Sequence, residues 1–457
     1  MRIKKQKWTT SLLALAAVAG YVINGQAQSV DTLLDKLVDK GILTVKEANE
    51  LREESDKDFS KAYSAKSGMS DWVSALKFNG DIRGRYESFY FDNPNGVDRQ
   101  RFRYRLRFGA VATLSDNFEA GMRLTSSEAA NGGSGGDPIS GNSTMQDNGS
   151  KKLIYLDLAY AKWTPVRTED WMGSFTIGKM ENPFVFSDLV FDSDYTPEGA
   201  ALQWGYNLSE AHGLKFNGGA FALDELGAQS EDPYMYGGQV RLESTWSKRW
   251  SSSAGVAWMA IENEQALAGT VGGAAPVPDQ NRGNTRGPSA NTSVGALVNA
   301  LVYDFHPVIA DASVTYTLDE FWHYNAPFPI KLGGDFVNNP NAGPDNQGWS
   351  AGVLFGKAGK KGLWEVGYRY KYLESDAWYE ELVDSDFGGF YQIAPVGGAA
   401  GYGAGTNVKG HVLKVAYSPY NPLTLTVTAF FSELINPNPA ATESKTTRIQ
   451  MDATLKF

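Results

Sequence analysis

Arg101, Arg103, Arg105 and Arg107 occupy every second position of the run RQRFRYRLRFGAVATL, residues 99–114. Guanidinium groups stay charged at all working pH values and grip carboxylates or phosphates in pairs of hydrogen bonds. Their chemistry is therefore attraction of anions and ordering of water, not proton transfer. Between them stand Phe102, Tyr104, Leu106 and Phe108, and Ala110 and Ala112 continue the apolar parity. Alternation of this length is a β-strand with one basic and one apolar face. Neighbours on one face lie roughly 6.6–7 Å apart, so the four arginines repel one another unless water or carboxylates surround them. The preceding alternating segment adds Arg83 and Arg85, with Asp81 and Glu87 beside them, opposite Phe78, Ile82, Tyr86 and Tyr90.

Two kinds of element can hold such a ladder. In a sandwich the apolar face meets a dry core; in an outer-membrane barrel it meets lipid and the arginines face a wet lumen. Composition excludes a helical membrane protein, because no run approaches the roughly 20 apolar residues that a spanning helix needs. Of 457 residues, 49 are Gly, 22 Tyr, 23 Phe and 12 Trp. There is no Cys, hence no disulfide framework and no thiol chemistry.

Residues 1–27 read as a secretory signal, with Arg2, Lys4, Lys5 and Lys7 before an apolar core at Leu12–Ile23 and Gly25-Gln26-Ala27 at its end. Its removal leaves 38 basic against 52 acidic residues, a net charge of −14. That balance disfavours nucleic acid as a partner and makes the ladder a local feature suited to small solutes. Within residues 28–75, Leu33, Leu34, Leu37 and Val38 follow helical spacing up to Gly41, and Thr44-Val45-Lys46-Glu47 is a capping box opening a second short helix. The segment reads as a short periplasmic helical hairpin and linker, packed on another copy or on the barrel rim, or else as a frayed tether.

Strands and turns fill residues 76–457. Trp364, Val366, Tyr368, Tyr370 and Tyr372 oppose Glu365, Arg369 and Lys371, and Ile449 to Phe457 oppose Arg448, Gln450, Asp452, Thr454 and Lys456. Turns alternate in length: short at 115–117, 247–250 and 419–422, long at 126–152, 263–293 and 374–407. Short periplasmic turns and long outer loops are the habit of membrane barrels. Candidate strands number 17, and such barrels have even counts. The fold expected is an all-β transmembrane antiparallel barrel of 16 strands, with 18 as the alternative if Phe387–Val396 contains another.

Catalytic and metal chemistry find little support. The four His, at 212, 306, 323 and 411, are isolated, and neither HExxH nor G-x-S-x-G occurs. Gly401–Gly405 lacks the strand-to-helix context of a nucleotide loop and reads as a mobile loop. Asp92–Asp98 has the ingredients of a calcium loop but reads better as a plain Asx/Gly turn. No cofactor is expected.

The runs Gly80–Glu87, Arg99–Leu114 and Asn117–Leu124, with Gly178–Phe184 and Asp192–Gly199, are similar to those of the bacterial putative porin family. The resemblance extends over the mature chain, hairpin included. It implies a passive, water-filled channel, a homotrimer, and the lipid of a Gram-negative outer membrane. The terminal aromatic Phe457 resembles the signature of outer-membrane porins read by the barrel-insertion machinery. In porins the loop after the fifth strand folds into the barrel and makes the constriction. Here that segment, residues 182–194, carries Phe184, Phe186, Leu189 and Phe191. So many apolar side chains fit open solvent poorly. Asp188, Asp192, Asp194 and Glu198 would then face the ladder across the pore, giving a transverse field; a merely solvated surface loop is the other reading. Small hydrophilic solutes are the expected cargo, with selectivity for phosphate or carboxylate as the alternative. A surface-binding or enzymatic barrel is the remaining class.

Overall fold

The computed structural model describes residues 70–129, 135–225, 231–267, 282–287, 300–393 and 401–457. The expected signal segment and the helical hairpin lie outside these residues. The chain divides into two compact units, residues 1–74 and 75–457.

Sixteen antiparallel strands form one closed sheet. The first five are β1 (Val73–Phe91), β2 (Arg99–Leu114), β3 (Phe118–Ser126), β4 (Ile154–Arg167) and β5 (Trp171–Lys179). Next come β6 (Glu198–Ser209), β7 (His212–Ala222), β8 (Tyr234–Thr245), β9 (Trp250–Glu262) and β10 (Val308–Leu318). The last six are β11 (Phe328–Asn338), β12 (Gln347–Gly356), β13 (Trp364–Leu373), β14 (Val408–Tyr420), β15 (Leu423–Leu434) and β16 (Thr446–Lys456). The count of 16 stands, and the alternative of 18 does not. Phe390–Tyr391 forms only a two-residue pairing with Gly401–Tyr402 inside a loop.

Closure follows from the first and last strands. β1 pairs with β16 in the register Asp81↔Lys456, Arg85↔Asp452 and Glu87↔Gln450. Beyond the strand end, Gly80 and Phe457 exchange backbone hydrogen bonds of 2.9 and 3.0 Å. A side chain at position 80 would collide with Arg107 O at 2.4 Å and the Phe457 ring at 2.6 Å. Glycine is therefore required where the terminal aromatic lies over the seam.

Alternation sorts the side chains as the sequence requires. On β2, Phe102 is 58% exposed toward the lipid side while Arg103 and Arg105 are buried on the inner side. At the other end of this strand, Asp116 and Asn117 adopt positive φ, 58° and 62°. Short polar side chains tolerate that conformation, which makes the tight turn to β3.

On the opposite rim, two of the long loops pack on each other. Loop 3 (residues 180–197) and loop 7 (374–407) contribute Leu189, Val190, Phe191, Trp378, Tyr379 and Leu382 to one buried apolar cluster. Phe305, from the connection between β9 and β10, closes on Trp378 edge-on at 6.4 Å. This core sits inside the barrel mouth.

Candidate functional site

The arginine ladder lies on the inner wall, and nearly every rung meets a carboxylate. Asp81 accepts from Arg107 Nε at 2.7 Å and from Arg105 Nη2 at 3.0 Å. Glu87, fully buried, accepts from Arg101, Arg448 and Gln450. Arg85 donates to Asp452 at 2.7 and 2.8 Å and to Asp386 at 3.1 Å. Arg103 lies 3.7 Å from Glu128. Arg83 is the exception: its 2.7 Å hydrogen bond goes to the Asn142 side-chain oxygen, and no carboxylate lies within 4 Å of it among the described residues.

Three loops dock on this wall. Loop 2 (residues 127–153) brings Glu128 and Asn142, loop 3 brings Asp194, and loop 7 brings Asp386. Arg105 Nη1 holds both oxygens of Asp194 at 2.9 and 3.1 Å. The ladder is thus a charged keel on which loops seat, not a bare row of cations.

Loop 3 continues from Asp194 to the opposite wall. The backbone of Val185 exchanges hydrogen bonds of 3.0 and 2.9 Å with the Gln239 side chain on β8, and Arg241 donates to Val185 O at 3.0 Å. Ser187 donates to Asp335 on β11 at 2.8 Å. Asp188 accepts from Arg369 on β13 at 2.7 Å and lies 3.4 Å from Lys371. The segment from Val185 to Asp194 therefore bridges the lumen.

The four acids expected to face the ladder separate. Asp194 touches the ladder directly, so no open gap lies between them. Asp188 serves the far wall. Asp192 accepts instead from Ser385 N of loop 7 and from Asp194 N, both at 2.9 Å. Glu198 is not a loop residue: it opens β6, pairs with Lys179 at 3.0 Å and is largely exposed.

Loop 7, one of the long loops expected on the outer rim, crosses loop 3. Trp378 Nε1 donates to Val190 O at 2.9 Å, Asp192 N to Leu382 O at 2.7 Å, and Asp384 N to Asp188 O at 3.2 Å. Lys371 Nζ holds Asp384 at 2.7 Å. Burial first, then the charges of Asp384 and Asp194, push the Asp192 carboxyl well above its usual range. For Asp386 burial acts the same way but is outweighed by Arg448 and Arg85, which hold it below that range. The two respond to pH with opposite sign. Asp386 ties loop 7 to the wall at every pH above the ordinary carboxylate value, whereas ionising Asp192 weakens the crossing as pH rises.

Elsewhere, Gly401–Gly405 is not free: Gly405 N donates to Arg282 O at 2.7 Å. Asp92–Asp98 forms an Asx turn, with Asn95 N donating to Asn93 Oδ1 at 2.8 Å and Phe91 N to Asp98 Oδ1 at 2.9 Å. Among the described residues no group of three His, Cys, Asp or Glu is placed to hold a metal ion.

Comparison with known proteins fits this geometry. Residues 96–286 match the pattern of a family described as "putative porin". No curated protein matches the chain. OprB of Pseudomonas putida, at high pH, superposes with a TM-score of 0.51 at 10% identity, covering 84% of this chain and 94% of that one. OmpF of Salmonella typhi in complex with daunomycin gives 0.44 at 11% identity over 84% and 97%. The outer-membrane channel DcaP of Acinetobacter baumannii gives 0.41 at 13% over 84% and 97%. The chain is thus a closed 16-strand antiparallel barrel with the fold of outer-membrane porins, and residues 96–286 of it are similar to the putative porin family.

Proposed function

We propose that the barrel is an outer-membrane channel for passive diffusion whose narrowest passage is set by loop 3, with the arginine wall on one side and the β8–β13 wall on the other. The observation that carries the reading is the loop's double anchorage, Asp194 on Arg105 and Asp188 on Arg369. A span held at both ends keeps its place without a ligand, as a constitutively open pore requires. The reading is of a channel, not a catalyst.

Small hydrophilic solutes of either sign are the proposed cargo. Seven guanidiniums (Arg83, Arg85, Arg101, Arg103, Arg105, Arg107 and Arg448) meet six carboxylates (Asp81, Glu87, Glu128, Asp194, Asp386 and Asp452), so the wall is close to neutral. Its oriented charges order water and disfavour apolar solutes, which must displace that water without replacing its interactions. The unmatched Arg83 favours the second reading, a preference for small anions. Exposed apolar residues on neighbouring strands, such as Phe102, Met122 and Leu156, suit outer-membrane lipid or a sister barrel in a homotrimer. Phe457, exposed at the seam, suits recognition by the insertion machinery.

Planar-bilayer recording in a salt gradient tests the ladder's part. Replacing Arg103 and Arg105 together by Gln leaves Glu87, Asp81 and Asp194 with fewer cations. The reversal potential should then move toward cation selectivity. An unchanged reversal potential would place the selectivity-determining point away from the ladder.

A further inference from the structure

Below the loop 3 crossing the β8–β14 wall encloses a cavity of about 640 Å³ whose roof is Val185–Asp188. The strand registers arrange its wall in rungs. Asp311, Asp335, Ser350 and Lys371 form the uppermost, and loop 3 occupies it through Ser187 on Asp335 and Asp188 near Lys371. The next holds Ser313, Gly333, Gly352, Arg369 and Val412, and the third Thr315, Lys331, Leu354, Gly367 and Lys414. Gly333 and Gly352 lie directly opposite each other, so the wall there is bare backbone between the seated loop and the third rung.

Charge in the cavity is matched at all cations but one. Arg241 closes on Asp311 at 2.6 Å, Arg369 on Asp188 at 2.7 Å and Lys414 on Glu365 at 2.9 Å. Lys331 lines the cavity, is exposed, and has neither ion pair nor hydrogen bond among the described residues. Its direct cross-strand neighbours are Thr315 on one side and Leu354 on the other; Val412 lies farther along the wall and Phe186 overhangs from the loop.

We propose that this recess is a binding station for monocarboxylates carrying a flat apolar body, an inference that rests on the channel reading above. The carboxylate lies on Lys331, and the body covers the bare wall at Gly333 and Gly352 beside Leu354, beneath Phe186. A single unmatched ammonium balances one negative charge, so a phosphate dianion is left with half its charge uncompensated in the recess. The spacing between successive rungs on one face, about 6.6–7 Å, is the size of one aromatic ring. Bare backbone and a phenyl ring above it accept such a plane better than a branched or hydrated solute. Binding here concentrates the solute on the periplasmic side of the crossing and draws it through.

The test is single-channel recording with benzoate, acetate or benzyl alcohol added in turn. Benzoate should interrupt the current, and acetate and benzyl alcohol should do so far less, since each supplies only half of the match. In Lys331→Gln the benzoate concentration for half-block should rise about tenfold, the size of one lost charged contact, and Lys331→Arg should restore it in part. Equal interruption by benzoate and acetate, or a benzoate effect unchanged in Lys331→Gln, would overturn the recess while leaving the channel reading intact. A wild-type protein that inserts and carries no current would overturn both.

Discussion

Replacing Glu87 by Gln should lower the stability of the folded barrel by about 3–5 kcal/mol, the cost of breaking a buried ion cluster from one side. Glu87 is fully buried and accepts hydrogen bonds from Arg101, Arg448 and Gln450, with Arg85 at 3.7 Å and Arg103 at 3.9 Å. The amide keeps the shape but removes the charge that several guanidiniums share, and turns a donor toward them. Arg448 also holds Asp386 of loop 7 at 2.6 Å, so loop docking weakens along with the seam between β1 and β16. Urea unfolding of the vesicle-inserted barrel measures the effect. A midpoint within error of wild type would mean that water reaches the cluster and compensates it.

The second large effect is expected at Trp378. Its side chain is fully buried, packs edge-on against Phe191 at 5.9 Å and Phe305 at 6.4 Å, and donates to Val190 O. Trp378→Ala removes the centre of the core that holds loop 7 to loop 3. The truncation costs about 3–5 kcal/mol for a well-packed aromatic, and leaves the Val190 carbonyl without its donor. Its ring partners and its acceptor all lie in loops, while Ile261, Ile309 and Val337 of the strands only border the same core, so most of the loss falls on the loops. Channel current should become noisier, with added sub-conductance levels, while the folded barrel keeps its resistance to denaturation on gels. A quiet channel of wild-type conductance would show that the loop crossing is held by its charges alone.

How far the sequence reached is clearest at the ladder. Period-two alternation placed Arg101 to Arg107 on the inner face and Phe102 to Phe108 on the outer one, because the pleat leaves no other arrangement. Turn chemistry placed the short turn at residues 115–117 for equally local reasons. What the arginines touch was not legible. Asp452 and Gln450 were readable as inner-face residues of the last strand, yet only the β1–β16 register makes Arg85↔Asp452 and Glu87↔Gln450 neighbours, and no local pattern encodes closure across the whole chain. Loop 3 was legible because its phenylalanines are too apolar for solvent. Loop 7 carried a comparable signal in Trp378, Tyr379, Leu382 and Val383, but the surrounding Gly and acidic residues resemble an exposed loop. Its burial depends on meeting loop 3, a contact between segments nearly 190 residues apart. The expected acids divided between two walls for the same reason: a loop that spans the lumen anchors at both ends.

That span is the central claim, and the chain's lack of cysteine makes it directly measurable. Val185 is half-exposed and lines the cavity beneath the crossing, with its backbone fixed to Gln239 on β8. In Val185→Cys the single thiol should react with a charged methanethiosulfonate reagent, and the open-channel current should fall as the added group enters the passage. Wild type under the same reagent should not change. Complete labelling confirmed by mass, with conductance unaltered, would contradict a loop 3 that lies across the pore.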